Sequence, residues 1–155
     1  PLLERIAVDS LTPDEVLADP ALVPQAVAIF HRAIERADAI LCFDASLLEA
    51  RLLAAAGPQT LIVVNSRRTP AQFAAELPGY RLLPVDGIGV SQRNGLGRIV
   101  NSALLGALAC ALEAPGLDTL LHTVAATAPK AGAENGAACL EGYRLVEAQL
   151  ALQAA

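Results

Sequence analysis

Gly97-Arg98-Ile99-Val100-Asn101-Ser102-Ala103-Leu104-Leu105-Gly106-Ala107-Leu108-Ala109 decides how this chain is read. The spacing predicts the end of a short buried strand, then a helix capped by Asn101, whose side chain can accept hydrogen bonds from first-turn N–H groups. From Ala103 to Leu112 the helix is apolar on nearly every face except at Gly106. A helix that is apolar all round is a central one, covered on several sides. Gly106 costs helix propensity, so it is expected where another backbone approaches closely. Pro115-Gly116 is expected to end the helix.

Upstream, strands and helices alternate. Ile6-Ala7-Val8 is a short strand candidate, and Thr12-Pro13-Asp14-Glu15 has the form of a capping box with Pro at the first helical position. Asp19-Pro20 stops that helix. A second is expected from Pro24 to Ala37, with Val27, Phe30 and Ile34 on one face. Asp38-Ala39-Ile40-Leu41-Cys42-Phe43-Asp44 suits a buried parallel strand. Ser46 is expected to cap a following helix that carries Leu47, Leu48 and Leu52 and ends at Gly57-Pro58. Thr60 to Asn65 is the clearest strand in the chain. Thr69-Pro70-Ala71-Gln72 repeats the capping box ahead of a helix bearing Phe73, and Tyr80 to Val85 is a further strand.

Downstream of the central helix, one helix is expected from about Asp118 to Thr127. Another starts near Glu134, with Cys139, Tyr143, Val146 and Leu150 at helical spacing and a tail, Gln149 to Ala155, that is expected to fray or dock on a partner. The pattern predicts an α/β fold: a mostly parallel sheet flanked by helices with right-handed crossovers, and a helical C-terminal third. At 155 residues the expectation is a single domain, 1–155.

Composition narrows the function classes. Hydrophobic residues reach 54% against 17% charged, so part of the surface is expected to meet a partner. A net charge of −5 with 3% aromatics argues against nucleic acid, which requires a basic face and stacking platforms. No apolar run reaches the length of a membrane span, and no secretory signal is visible, so a cytoplasmic location is expected. Cys42, Cys110 and Cys139 each lie in an apolar segment without C-x-x-C spacing. They read as small buried hydrophobes, and no metal site is expected.

The run Ile99-Val100-Asn101-Ser102-Ala103-Leu104-Leu105-Gly106-Ala107-Leu108, preceded by Gly97-Arg98, resembles the signature of the gamma subunit or domain of 2-oxoacid:ferredoxin oxidoreductases, the pyruvate, 2-ketoisovalerate and phenylglyoxylate type. The resemblance runs from Asp38 to Tyr143. It takes in Asp38 to Leu48, Gly57 to Asn65-Ser66, Leu83-Pro84-Val85-Asp86-Gly87-Ile88-Gly89, Asn135 and Gly142-Tyr143. Family members open with a G-x-G-G-x-G strand–turn–helix that is absent from Pro1 to Ala37. Pro1 itself reads as an N-terminus left by Met removal.

The resemblance implies a complex that oxidatively decarboxylates a 2-oxoacid, joins the acyl group to coenzyme A and passes electrons to iron–sulfur clusters. This chain is expected to bind no cofactor. Thiamine diphosphate, Mg and the clusters are expected in partner catalytic and iron–sulfur subunits, with coenzyme A at the interface. Its own role would be mainly structural. The alternative is a stand-alone α/β binding module or assembly factor without catalytic activity. An independent nucleotide-dependent enzyme is disfavoured, since Gly87-Ile88-Gly89 and Gly95-Leu96-Gly97 lack the third glycine of a dinucleotide fingerprint.

Ligands of parallel sheets sit beyond the carboxyl ends of the strands. The groups expected there are Asp44, Ser46, Asn65, Ser66, Arg67, Arg68, Asp86 and Asn101. Arg67-Arg68 either clamps a carboxylate or phosphate, such as those of coenzyme A, or forms a solvated turn or subunit salt bridge. Asp44, without a nearby His or second carboxylate, is expected to cap rather than act as a base. Ser91-Gln92-Arg93-Asn94 reads as a polar loop. No Ser-His-Asp or Cys-His arrangement is present, so no catalytic residue is assigned.

Overall fold

The computed structural model describes residues 13–154. These fall into two compact units: residues up to Ala37 with Glu49–Gly57, and Asp38–Leu48 with the chain from Pro58 onward. The expected strand Ile6-Ala7-Val8 and the Thr12 cap lie outside the described residues.

The first unit holds α1 (Pro13–Ala18), α2 (Val23–Glu35) and the short α3 (Ala50–Leu53). Asp19 ends α1 and caps a 3-10 turn, Pro20–Leu22, by accepting the Ala21 N–H at 3.0 Å. Pro at the start of α2 sets the helix without losing a hydrogen bond. Ile34 of α2 and Leu53 of α3 are buried, and His31 Nε2 lies 2.9 Å from the Arg51 carbonyl. The helix expected over Leu47, Leu48 and Leu52 is this four-residue α3 alone. Asp44 takes the capping role read for Ser46, and the turn it sets over Ala45–Leu47 is 3-10.

The second unit is built on three parallel strands, β1 (Ala39–Cys42), β2 (Leu61–Asn65) and β3 (Arg81–Val85), in the order β1-β2-β3. Ala39 stands opposite Leu61, and Leu61 opposite Arg81. Between β2 and β3 comes α4 (Pro70–Glu76), opened by the expected capping box: Thr69 accepts the Gln72 N–H while Gln72 Oε1 accepts the Thr69 N–H at 2.8 Å. After β3 follow α5 (Gly87–Arg93), α6 (Asn101–Leu112), α7 (Leu117–Thr127) and α8 (Gly132–Ala154).

Two expectations fail before α6. The polar stretch from Ser91 to Asn94 is not a loop; Ser91 to Arg93 complete α5. Asp86 caps α5 through the Gly89 N–H at 2.9 Å, and Ser91 is fully buried. The buried Ser91 hydroxyl donates to the Ile99 carbonyl at 2.7 Å, which ties the next turn down. Gly97 to Val100 is therefore not a strand. Gly95 and Gly97 both hold positive φ, which folds the chain into a turn and leaves Ile99 59% exposed.

Helix α6 is central, as its composition demands. Leu104, Ala107, Cys110 and Ala111 join Val63, Leu83, Val85 and Val146 in one cluster. Ala103 packs with Val90, Leu96 and Ala138, and Ala109 with Leu120, Val124 and Cys139. Gly106 meets α8 directly: a Cβ there would lie 1.9 Å from the Cys139 carbonyl oxygen. Reciprocally, a Cβ on Gly142 would lie 2.0 Å from the Ala103 carbonyl oxygen. Each helix offers a glycine to the backbone of the other. The helix ends at Leu112, with Glu113 in the left-handed conformation, just ahead of Pro115-Gly116.

The outer edge of β3 is blocked. The Val85 carbonyl accepts from Ser66 N on the β2 side, so by alternation the Pro84 carbonyl faces outward. Proline offers no N–H to an incoming strand, and Gln149 Nε2 of α8 donates to that carbonyl at 2.8 Å. From Gln149 the chain continues as helix to Ala154, with Gln149 bonded to the sheet edge and residues 151–153 exposed.

Candidate functional site at the carboxyl end of the sheet

The site is built from the turns that follow β1, β2 and β3. Asn65, the last residue of β2, reaches both neighbours. Its Nδ2 donates to the Phe43 carbonyl at 3.1 Å, and its Oδ1 accepts the Gly87 N–H at 3.1 Å. One carboxamide therefore holds the turn after β1 and the start of α5 against the end of β2. Ser66 continues the seam. Its N–H donates to the Val85 carbonyl at 2.9 Å, and its hydroxyl accepts the Arg68 N–H at 3.1 Å.

Asp44 caps the turn after β1 by accepting the Ser46 N–H at 2.9 Å. That bond to the Ser46 amide holds the carboxyl below its ordinary range. Asp86 caps α5 in turn, accepting the Gly89 N–H. Arg68 is committed: Nη2 lies 2.6 Å from Glu76 Oε1 and 3.3 Å from the Gln72 carbonyl, with the guanidinium 4.3 Å over the Phe73 ring. Arg67 beside it is exposed and has no polar partner among the described residues. A two-guanidinium clamp would require Arg68 to leave Glu76 and Phe73.

Asn101 does not cap α6. It is the first helical residue and exposed, while Val100 occupies the cap position without a side-chain bond. The tether from Ser91 to Ile99 starts the helix one residue earlier than the Asn signal suggests. The start of α6 still adjoins the seam: a Cβ on Gly87 would lie 2.9 Å from Asn65 Oδ1 and 3.2 Å from Val100 Cβ.

The three cysteines are free and buried. Burial pushes all three thiols up, that of Cys139 to about 11. Cys110 and Cys139 belong to different apolar clusters. Among the described residues no group of three or more His, Cys, Asp or Glu side chains could hold a metal ion. Protonated thiols in separate clusters do not fit an iron–sulfur centre. No helix among the described residues is long and apolar enough to cross a membrane.

Comparison with known proteins supplies the family. A family model described as pyruvate ferredoxin/flavodoxin oxidoreductase matches residues 23–145. The chain belongs to that family. The resemblance carried by the central-helix motif is thereby borne out. No curated protein sequence matches the chain. The crystal structure of pyruvate oxidoreductase subunit PORC from Thermotoga maritima shares its fold, with a TM-score of 0.62 at 20% identity over 72% of this chain. The match spans 65% of the length of that subunit.

Within this family fold, sequence reasoning found the residues at the strand ends but not what they bond to. It missed the Asn65–Gly87 bond and a second polar knot, in which Glu141 of α8 accepts from Arg93 Nε at 2.9 Å and from Asn94 Nδ2 at 2.7 Å. The only local signal for either was Asp86 followed by Gly87, a cap ahead of a residue without a side chain.

Proposed function

We propose that this oxidoreductase-family chain is a gamma-type subunit of a 2-oxoacid:acceptor oxidoreductase complex, and that its contribution is mainly structural. The complex would oxidise a 2-oxoacid with loss of carbon dioxide, form an acyl–coenzyme A thioester and release two electrons to iron–sulfur clusters. Thiamine diphosphate, its Mg and the clusters belong to partner subunits in this reading, with coenzyme A reaching the interface between them.

The observation that carries the structural role is how the polar groups at the carboxyl end of the sheet are used. Asn65 spends both ends of its amide on backbone, Asp44 and Asp86 are caps, and Arg68 is held by Glu76 and Phe73. A reactive site keeps such groups free for substrate or perturbs them toward a proton transfer. Here they hold loops. Arg67 and Asn101 are the groups left to meet a partner or a phosphate.

The test is reconstitution. The full chain is mixed with the thiamine-binding and iron–sulfur subunits of the oxidoreductase, and the mixture is followed by size-exclusion chromatography at a visible wavelength. Co-elution with the brown subunits, together with coenzyme A-dependent oxidation of a 2-oxoacid, supports the subunit reading. A chain that elutes alone in the presence of those subunits overturns it in favour of a stand-alone α/β module.

A further inference from the structure

Helix α6 is apolar on every side, yet only part of its circumference is covered. Its contacts with the sheet, with α5 and with α7 and α8 bury Leu104, Ala103 and Ala109 in turn. The remaining side carries Leu105 and Leu112, seven residues apart on one face, at 41% and 42% exposure. Leu105 also lines a groove of about 580 Å³ between the start of α6, the end of α7 and the loop that leads to α8. Leu96, Ile99, Val124 and Pro129 form its apolar walls, and Lys130 also lines it.

The shape of this groove is fixed. The Ser102 hydroxyl lies 2.6 Å from Asn135 Oδ1, and Asn135 Nδ2 donates to the carbonyls of Lys130 and Ala131 at 3.0 and 2.9 Å. The first turn of α6 is thereby tied to the loop that bears Lys130.

Charge states what fits. The chain as a whole is acidic, with a net charge of −5. The groove runs against that balance: no carboxylate lines it and Lys130 does, and at its margin Arg98 adjoins Ile99 while Glu134 stands beside Gly95, so cations outnumber carboxylates there two to one. Both cations are exposed and have no polar partner among the described residues. A second copy of the chain seated on this face by a two-fold axis would add two more cations to the same interface and no lining carboxylate to meet them. The complementary occupant is apolar and carries a carboxylate.

We infer that the groove between α6, α7 and the Lys130 loop docks an apolar, acidic segment of a partner subunit, with apolar side chains against Ile99 and Leu105 and a carboxylate at Lys130. The inference rests on the subunit reading above and adds the surface and the chemistry of its partner.

The test compares full-length wild type with Leu105→Glu, Lys130→Glu and the control Leu152→Glu in assembly with the catalytic subunits. Leu152 is exposed near the far end of α8, away from the groove. Leu105→Glu and Lys130→Glu are expected to weaken assembly about tenfold or more. The loss in Lys130→Glu shrinks as salt is raised, and Leu152→Glu assembles like wild type. The Lys130 side chain has no polar contact to lose, so its reversal leaves the thermal melt unchanged and carries the test even if Leu105→Glu unfolds.

A benzophenone placed on Ile99→Cys, the exposed thiol among three buried ones, is expected to cross-link a partner peptide rich in apolar residues and containing Asp or Glu. Wild-type assembly that both charge variants reproduce overturns the groove while leaving the subunit reading intact. A cross-link to a second copy of this chain, or to a peptide without a carboxylate, also overturns the groove. Failure of wild type to assemble overturns both.

Discussion

The Asn65 carboxamide accepts the Gly87 N–H at 3.1 Å, and a Cβ on Gly87 would fall 2.9 Å from that same oxygen. Bond and glycine are therefore one device: the turn into α5 comes this close because position 87 has no side chain. Asn65→Ala leaves the part-buried Gly87 N–H without its partner and gives the exposed Phe43 carbonyl to water. It is expected to cost about 1–3 kcal/mol in urea unfolding. Gly87→Ala is destabilising on its own and costs less in the Asn65→Ala background, where one of its two collisions is gone. Additive effects in the double-mutant cycle would show that the two residues are not coupled.

Buried thiols give the alkaline limb of stability. Burial raises Cys139 from its ordinary 9.0 to about 11, so the folded chain keeps a proton that the unfolded chain gives up. The contribution is fully present below pH 9.0 and is lost as pH rises toward about 11. Cys139→Ala should flatten part of that decline in denaturant midpoint. A remnant persists, because Cys42 and Cys110 are raised in the same sense. Ellman's reagent should find no reactive thiol in the native protein and three on unfolding. Rapid native labelling would show that the cluster around Cys139 is open.

Asp44 acts at the other end of the scale. Its folded pKa lies below the ordinary 3.8 because the carboxylate accepts from the Ser46 amide. Its stabilising contribution is therefore present above that ordinary value and disappears as pH falls through the lowered one. Asp44→Ala should melt earlier than wild type near neutral pH, and the two melts should converge in acid. A gap that persists well below pH 3.8 would mean that the cap does not depend on the charge.

What the sequence disclosed follows how local each interaction is. The Thr69–Gln72 capping box was legible because donor and acceptor lie three residues apart. Strand β2 was legible from its uninterrupted apolar run, and α6 from its apolar faces. The start of α6 was misread because Asn101 is a good local cap, and a contact eight residues back, Ser91 to Ile99, decides the turn instead. At the candidate site, Asn65 was visible as a strand end. Both of its bonds span 22 residues, and no spacing rule reaches that far. Helix α5 was hidden by Gly87 and Gly89. These weaken helix propensity, and they are present because Asn65 and Asp86 crowd the places where their side chains would stand.

The crossing of α6 and α8 gives a prediction whose sign separates two accounts. By propensity alone, Gly106→Ala and Gly142→Ala in helix interiors should each stabilise the protein by about 1 kcal/mol. The geometry demands the opposite. A Cβ at Gly106 would lie 1.9 Å from the Cys139 carbonyl oxygen, and one at Gly142 would lie 2.0 Å from that of Ala103. Backbone cannot swing aside as a side chain does, so the helices must separate and loosen the contacts of Ala103, Cys139 and Val146. Each substitution is expected to cost about 3 kcal/mol in chemical denaturation. The double variant should cost less than the sum, because one separation relieves both collisions. Neutral or stabilising single variants would mean that the two backbones are not in contact, and α6 would then lose the cover that its apolar sequence requires.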